Sequence, residues 1–200
     1  MFEVRIHGRG GQGVITAAEL LSKAAFIDGK YAQAFPSFGS ERMGAPVMSF
    51  CRISDREIRS REPVMEPDAL IIQDPSLLHH VDIFSGLRPG GYVLINSTRN
   101  LDELGVSDFL RGFPPDHVRT VPASDIALKH VRRPLPNAAL IGGFAAITGQ
   151  LKLASVQAAI REKFPGSVGE ANAAAATEAY DYVASHLKGH IAEMHHVSAN

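Results

Sequence analysis

Phe2-Glu3-Val4-Arg5-Ile6-His7-Gly8-Arg9-Gly10-Gly11-Gln12-Gly13-Val14-Ile15-Thr16-Ala17-Ala18-Glu19-Leu20-Leu21 is the stretch on which the fold turns. Apolar residues alternate from Phe2 to Ile6, the period of a strand. From Val14 to Ile27 the apolar positions Val14, Ala17, Ala18, Leu21, Ala24 and Ala25 recur at helical spacing, and Asp28-Gly29 supplies a stop. Gly8, Gly10 and Gly13 lie between the two elements. A strand, a glycine turn and a helix in that order open a layered α/β domain.

Outward from this unit the pattern repeats. Strands are predicted over Tyr31–Phe35, Val47–Ile53, Ala69–Gln73, Gly91–Asn96 and Val118–Val121. Ala69 to Ile72 is apolar on successive residues, as a strand covered on both faces must be. Helices are predicted over Ser124–Val131 with Ser124 as N-cap, Asn137–Gly149, Ser155–Phe164 and Ala171–Leu187. The expectation is one α/β domain over 1–187, with a mostly parallel central sheet flanked by helices and a Rossmann-like N-terminal glycine loop. Past Leu187 the apolar periodicity fades, and 188–200 reads as a flexible tail.

Composition narrows the function. Twenty Lys and Arg stand against twenty-one Asp and Glu, a formal charge of -1 that gives no cationic footprint for nucleic acid. The lone cysteine, Cys51, excludes an internal disulfide framework and an all-cysteine iron–sulfur site from this chain alone. No apolar run approaches the ~20 residues that span a bilayer, and Met1 leads straight into a strand. The expectation is a cytoplasmic domain away from any membrane.

The glycine pattern carries the chemistry. Glycines permit backbone angles and close approaches that a side chain blocks, while the amides and dipole of the following helix face an anion. The expected guest is a phosphate or diphosphate, against the alternative of a turn that binds nothing. A dinucleotide fold wants a carboxylate about 20 residues further on to hold a ribose. Here the second strand ends in Ala34-Phe35-Pro36-Ser37, and Asp28 reads as a turn residue. No G-x-x-x-x-G-K-[ST] is present, which excludes a P-loop.

Phe35 to Pro46 forms a second unusual stretch, with Ser37, Ser40, Glu41 and Arg42 among loop formers and two phenylalanines, Phe35 and Phe38. Loops leaving the carboxyl ends of parallel strands meet at one rim, so this loop is expected beside the glycine loop. Arg42 there pairs either a phosphate or partner carboxylate, or an acid of its own chain. His79-His80 and His195-His196 read as solvated, since adjacent histidines face different ways and no third ligand is suitably spaced. Cys51 reads as an inert core thiol. Arg52, Arg56, Arg59 and Arg61 alternate with acids and read as a solvated hairpin or subunit contact. An anion-binding rim emerges, with no acid–base or nucleophilic machinery.

Several blocks together resemble the gamma subunit of pyruvate (2-oxoacid):ferredoxin oxidoreductases. They are Gly8 to Val14, Tyr31 to Gly39, Glu41-Arg42, Gly44 to Val47, Asp74-Pro75, Val121-Pro122-Ala123, Arg133 to Asn137, Phe164-Pro165-Gly166 and Asn172. Ser40 stands where such subunits often carry proline, and Met43 where a basic residue is common. The resemblance implies a subunit, not catalytic alone, of an enzyme that oxidatively decarboxylates a 2-oxoacid, with pyruvate expected. Acyl-CoA and CO2 form, and ferredoxin is reduced. It implies coenzyme A at or near this chain, with thiamine diphosphate, Mg2+ and [4Fe-4S] clusters on partner subunits. The partners implied are alpha, beta and delta-type subunits in a dimer of heteromers, with ferredoxin or a flavin subunit reached through them. The cofactor-binding residues expected are Gly8, Arg9, Gly10, Gly11, Gln12, Gly13, Ser37 and Arg42, with Arg9 a cationic neighbour of the diphosphate. The alternatives are an assembly module without ligand, or the same subunit serving an aromatic or other 2-oxoacid with NAD as final acceptor.

Overall fold

The segments Phe2–Arg9, Tyr31–Pro36, Pro46–Ser54, Ala69–Ile72, Tyr92–Asn96 and Val118–Val121 are strands β1 to β6 of one sheet, ordered β2-β3-β1-β4-β5-β6. The computed structural model describes residues 1–37 and 43–197, with side chains described through residue 187. β1, β4, β5 and β6 run parallel, while β3 lies antiparallel between β1 and β2. The sheet is therefore mostly parallel, with a β2–β3 hairpin on one edge. All four residues of β4 are buried, as its unbroken apolar run requires.

The helices are α1 (Val14–Ile27), α2 (Ser107–Leu110), α3 (Ala123–Val131), α4 (Asn137–Thr148), α5 (Leu153–Lys163) and α6 (Ser167–Val197). α1 and α3 to α6 bury Leu20, Leu21, Ile126, Phe144, Ile160 and Val183 against Val4, Ile6, Ile71 and Leu94 on one face. The opposite face of β4 to β6 is closed by the two connections that flank β5, which contribute Leu77, Ile83, Leu104, Val106 and Leu110. The long helices thus lie on one side only, because both connections on the other side bury scattered apolar residues without helical periodicity. α6 continues past Leu187, where the apolar pattern fades, to Val197.

α4 and α6 approach unusually closely. A Cβ at Gly142 would meet the Ala176 carbonyl oxygen at 2.0 Å, so the two backbones touch at a position only glycine can occupy. Alanines 173, 175, 176 and 179 supply the matching small surface on α6.

Two side chains take other roles than their sequence context suggests. Ser124 lies inside α3, which starts at Ala123 without a side-chain cap. Its hydroxyl accepts from Asn96 Nδ2 (2.9 Å) while its amide donates to Asn96 Oδ1 (3.0 Å), tying the end of β5 to α3. Asp28, at the C-cap of α1, reaches across the fold to accept from Lys152 N (2.8 Å) and Ser155 Oγ (2.5 Å), and so caps the start of α5.

Candidate functional site

The glycine turn works through two physical effects. Gly8 sits where any Cβ would lie 2.6 Å from Val14 Cγ2, so its bare backbone lets α1 seat against β1. Gly11 and Gly13 have φ of 92° and 74°, the left-handed region that disfavours side chains, and they swing the chain from strand to helix. The seating of the helix against the strand thus falls to Gly8, the first glycine of the motif.

One rim of this turn is closed. Gly10 N donates to Ala45 O (2.9 Å) and Gly44 N donates to Gly10 O (3.1 Å), so the far end of the β2–β3 connection docks on the glycine turn. The shared rim expected of these two loops is thus formed by Met43, Gly44 and Ala45. Gln12 N donates to Arg9 O (3.0 Å), and Gln12 Oε1 accepts from Arg9 N (2.8 Å). The Arg9 guanidinium contacts Asp74 Oδ2 (3.2 Å) and donates to Gly44 O (3.0 Å) and Ser76 Oγ (2.9 Å). Asp74 also accepts from Gln12 Nε2 (2.9 Å), Ser76 N (3.0 Å) and Ser76 Oγ (2.6 Å). Burial alone would raise the Asp74 carboxyl. The bonds from Ser76 and Gln12 and the charge of Arg9 outweigh it and hold the group below its ordinary value. Arg9 and the amides of Gly10 and Gln12, expected to face an anion, are therefore engaged within the chain.

The other side of the turn is open. Gly11, Gly13 and Thr16 form one wall of a crevice of about 460 Å³, whose remaining walls are Val131, Arg133, Leu135, Asn137, Phe164, Val168 and Asn172. The starts of α1, α4 and α6 converge here, each contributing the positive end of its dipole. The first turns of α1 and α4 carry no acid, and Glu170 in that of α6 is paired with Arg161 (2.8 and 3.0 Å). Arg133 is exposed on the crevice and has no carboxylate partner among the described residues. It follows Arg132, which takes a left-handed φ of 62° at the end of α3 and turns the chain toward the cleft.

The other expected residues are scattered. Ser37 is half-buried at the end of β2, with its amide on Met48 O (2.9 Å), away from the crevice lining. Arg42, with Phe38, Gly39, Ser40 and Glu41, lies outside the described residues, as do the side chains of His195 and His196. His79 and His80 are exposed. Phe35 packs on Phe50, with ring centroids 5.2 Å apart. Arg52 corrects the expectation of a solvated hairpin. It is 2% exposed, pairs with Glu3 at 2.7 Å, donates to Glu62 O and lies over the Phe35 ring. Arg56, Arg59 and Arg61 are exposed. Cys51 is fully buried in β3, and burial pushes its thiol up to about 12. Among the described residues no group of three or more His, Cys, Asp or Glu is placed to hold a metal ion, and no helix is long and apolar enough to cross a membrane.

Arg133, Asn137 and Asn172 are the crevice residues that site reasoning from the glycine motif missed. Their only signal in the sequence was their presence in the blocks that carry the family resemblance.

Three comparisons bear on this arrangement. The model of the pyruvate ferredoxin/flavodoxin oxidoreductase family matches residues 3–182. The pyruvate/ketoisovalerate oxidoreductases common subunit gamma of Thermococcus kodakarensis is 49% identical over 181 residues, which are 90% of this chain and 96% of the relative. Among solved structures, pyruvate oxidoreductase subunit PORC from Thermotoga maritima superposes with a TM-score of 0.75 at 35% identity, covering 90% of this chain and 95% of that one. A 2-oxoglutarate:ferredoxin oxidoreductase from Magnetococcus marinus, solved with 2-oxoglutarate, coenzyme A and succinyl-CoA bound, shares the fold at a TM-score of 0.65 and 19% identity. That likeness covers 94% of this chain and 31% of the larger one.

Proposed function

The chain belongs to the pyruvate ferredoxin/flavodoxin oxidoreductase family as a gamma-type subunit, and from that premise we propose that its glycine-lined crevice receives coenzyme A, the acyl acceptor of the assembled enzyme. The observation that carries this reading is the convergence of three helix starts beside an Arg133 that no described carboxylate neutralises. Helix starts and an arginine fork together suit phosphate oxygens. The amides of Gly11 and Gly13 border the cleft and have no acceptor among the described residues. Gly8 and Gln12 then shape the turn, and Arg9 braces it through Asp74.

The reaction we assign to the whole complex is oxidative decarboxylation of a 2-oxoacid to acyl-CoA and CO2, with electrons passing to ferredoxin. Pyruvate is the substrate we propose, in keeping with the names of the Thermococcus and Thermotoga relatives. Thiamine diphosphate, Mg2+ and [4Fe-4S] clusters would supply the carbanion and electron-transfer chemistry, and we place them on alpha, beta and delta-type partners in the cytoplasm. The buried, high-pKa thiol of Cys51 is no cluster ligand, which supports that placement.

The test is Arg133→Ala in the assembled complex. Loss of one charge-assisted contact raises the apparent KM for coenzyme A by roughly ten- to hundredfold. Decarboxylation without coenzyme A is unchanged. An unaltered KM would overturn the assignment and leave an assembly role as the better account.

A further inference from the structure

The crevice holds two side chains that an anion alone leaves unused. Asn137 and Asn172 are 7% and 6% exposed, and both line the cavity. Each spends half of its amide on its own helix. Asn137 Oδ1 accepts from Ala138 N (2.9 Å), and Asn172 Nδ2 donates to Val168 O (2.8 Å). The other halves, Nδ2 of Asn137 and Oδ1 of Asn172, have no partner among the described residues. The Asn137 nitrogen lies 2.7 Å from where a Cβ at Gly13 would stand, so the bare glycine keeps this donor open.

Both atoms keep some accessible surface, so a ligand that fills the crevice takes them from water and must replace the bonds it removes. A phosphate accepts only, and would leave Asn172 Oδ1 unpaired. The two free atoms stand on different helices, α4 and α6, with the apolar side chains of Leu135, Phe164 and Val168 around them. A trans secondary amide matches this set. Its C=O and N–H point in opposite directions, so it needs a donor and an acceptor on separate walls, and its flanking methylenes need apolar ones. An adenine edge presents its donor and acceptor side by side and is read by one asparagine in one plane.

Resting on the coenzyme A reading above, we infer that Asn137 and Asn172 read an amide of the pantetheine arm. Asn137 Nδ2 donates to the amide carbonyl, and Asn172 Oδ1 accepts from the amide N–H. Phosphate contacts and amide contacts are thereby divided between Arg133 with the glycine turn and the two asparagines.

The experiment uses the assembled complex carrying Asn172→Leu or Asn137→Ser, both uncharged changes. It measures the KM for coenzyme A and the inhibition constant of adenosine 3′,5′-bisphosphate, which has the adenine and phosphates but no arm. Each variant raises the KM by roughly five- to tenfold and moves the inhibition constant by less than about twofold, the effect of one neutral hydrogen bond at the arm. Arg133→Ala raises both. If the KM holds in both asparagine variants while Arg133→Ala raises it, the inference falls and the coenzyme A reading stands. If inhibition weakens in parallel with the KM, the asparagines read the nucleotide and the inference falls. If either asparagine variant dissociates the complex on gel filtration with the KM unchanged, the pair reads a partner's peptide, which also overturns it. If no variant, Arg133→Ala included, moves either constant, both readings fall together.

Discussion

Arg9 and Arg133 flank the same glycine turn, yet one is bound and the other is open. Arg9 sits in the motif itself and is held by Asp74, Ser76 and the Gly44 carbonyl. Arg133 comes from a loop far along the chain and has no carboxylate partner among the described residues. On the reading proposed above, a cation beside a glycine motif serves a ligand only where its own fold has not already neutralised it. Asp74, just past the end of β4, is the group that neutralises Arg9.

The contrast can be broken most directly by Arg133→Glu. Reversing the charge should raise the KM for coenzyme A more than about a hundredfold, above the cost of losing one charged bond. Unfolding temperature should stay within a degree or two, since the residue is exposed. Asp74→Ala probes the closed side. It strips the acceptor from Arg9, Gln12 and Ser76 and should cost about 2–3 kcal/mol of stability, or roughly 5–10 °C in Tm at this chain length. The coenzyme A KM of the folded complex should barely move. A Tm unchanged by Asp74→Ala would show that the brace is not one.

The closed side extends down β1 to His7, which sharpens the comparison through pH. His7 is 2% exposed and its Nε2 accepts from Arg5 Nε at 3.1 Å. Burial first, and the Arg5 charge second, pull the imidazole from 6.5 down to about 3. The unfolded chain therefore takes up a proton that the folded chain refuses between these values. Stability is intact above pH 6.5 and falls as the pH drops toward 3, by up to about 1.4 kcal/mol per unit. Urea unfolding of wild type and His7→Gln at pH 7, 5 and 4 reads this, and the variant should lose that part of the slope. The smallest effect belongs to Arg9→Ala. Its coenzyme A KM should change less than about threefold and its stability by about 1 kcal/mol, as for one partly exposed pair. A large KM effect there would reverse the assignment of the two arginines.

Much of the fold is legible in local pattern. Period-2 and period-3.6 spacing place α1 at Val14–Ile27 and β6 at Val118–Val121 as the structure has them. The covering of β4 to β6 by Leu77, Ile83, Leu104 and Leu110 is not legible, because those residues follow neither period. The site divides in the same way. Gly11 and Gly13 announce themselves by composition, while Arg133, Asn137 and Asn172 join them only through the packing of α4 and α6, which no short-range spacing encodes. The neutralisation of Arg9 depends likewise on a strand remote in the chain, and so does the burial of Arg52 beneath Glu3, Gln33 and Phe35.

The touching backbones at Gly142 and Ala176 act as a gauge for the cleft. Since α4 and α6 rest on each other there with no slack, the width between their first turns is set at a point outside the cleft lining. A single methyl at position 142 would work as a shim, prising the two jaws apart while every residue that lines them kept its identity. The shape of the crevice is thus open to retuning through a helix crossing, with its lining left unedited.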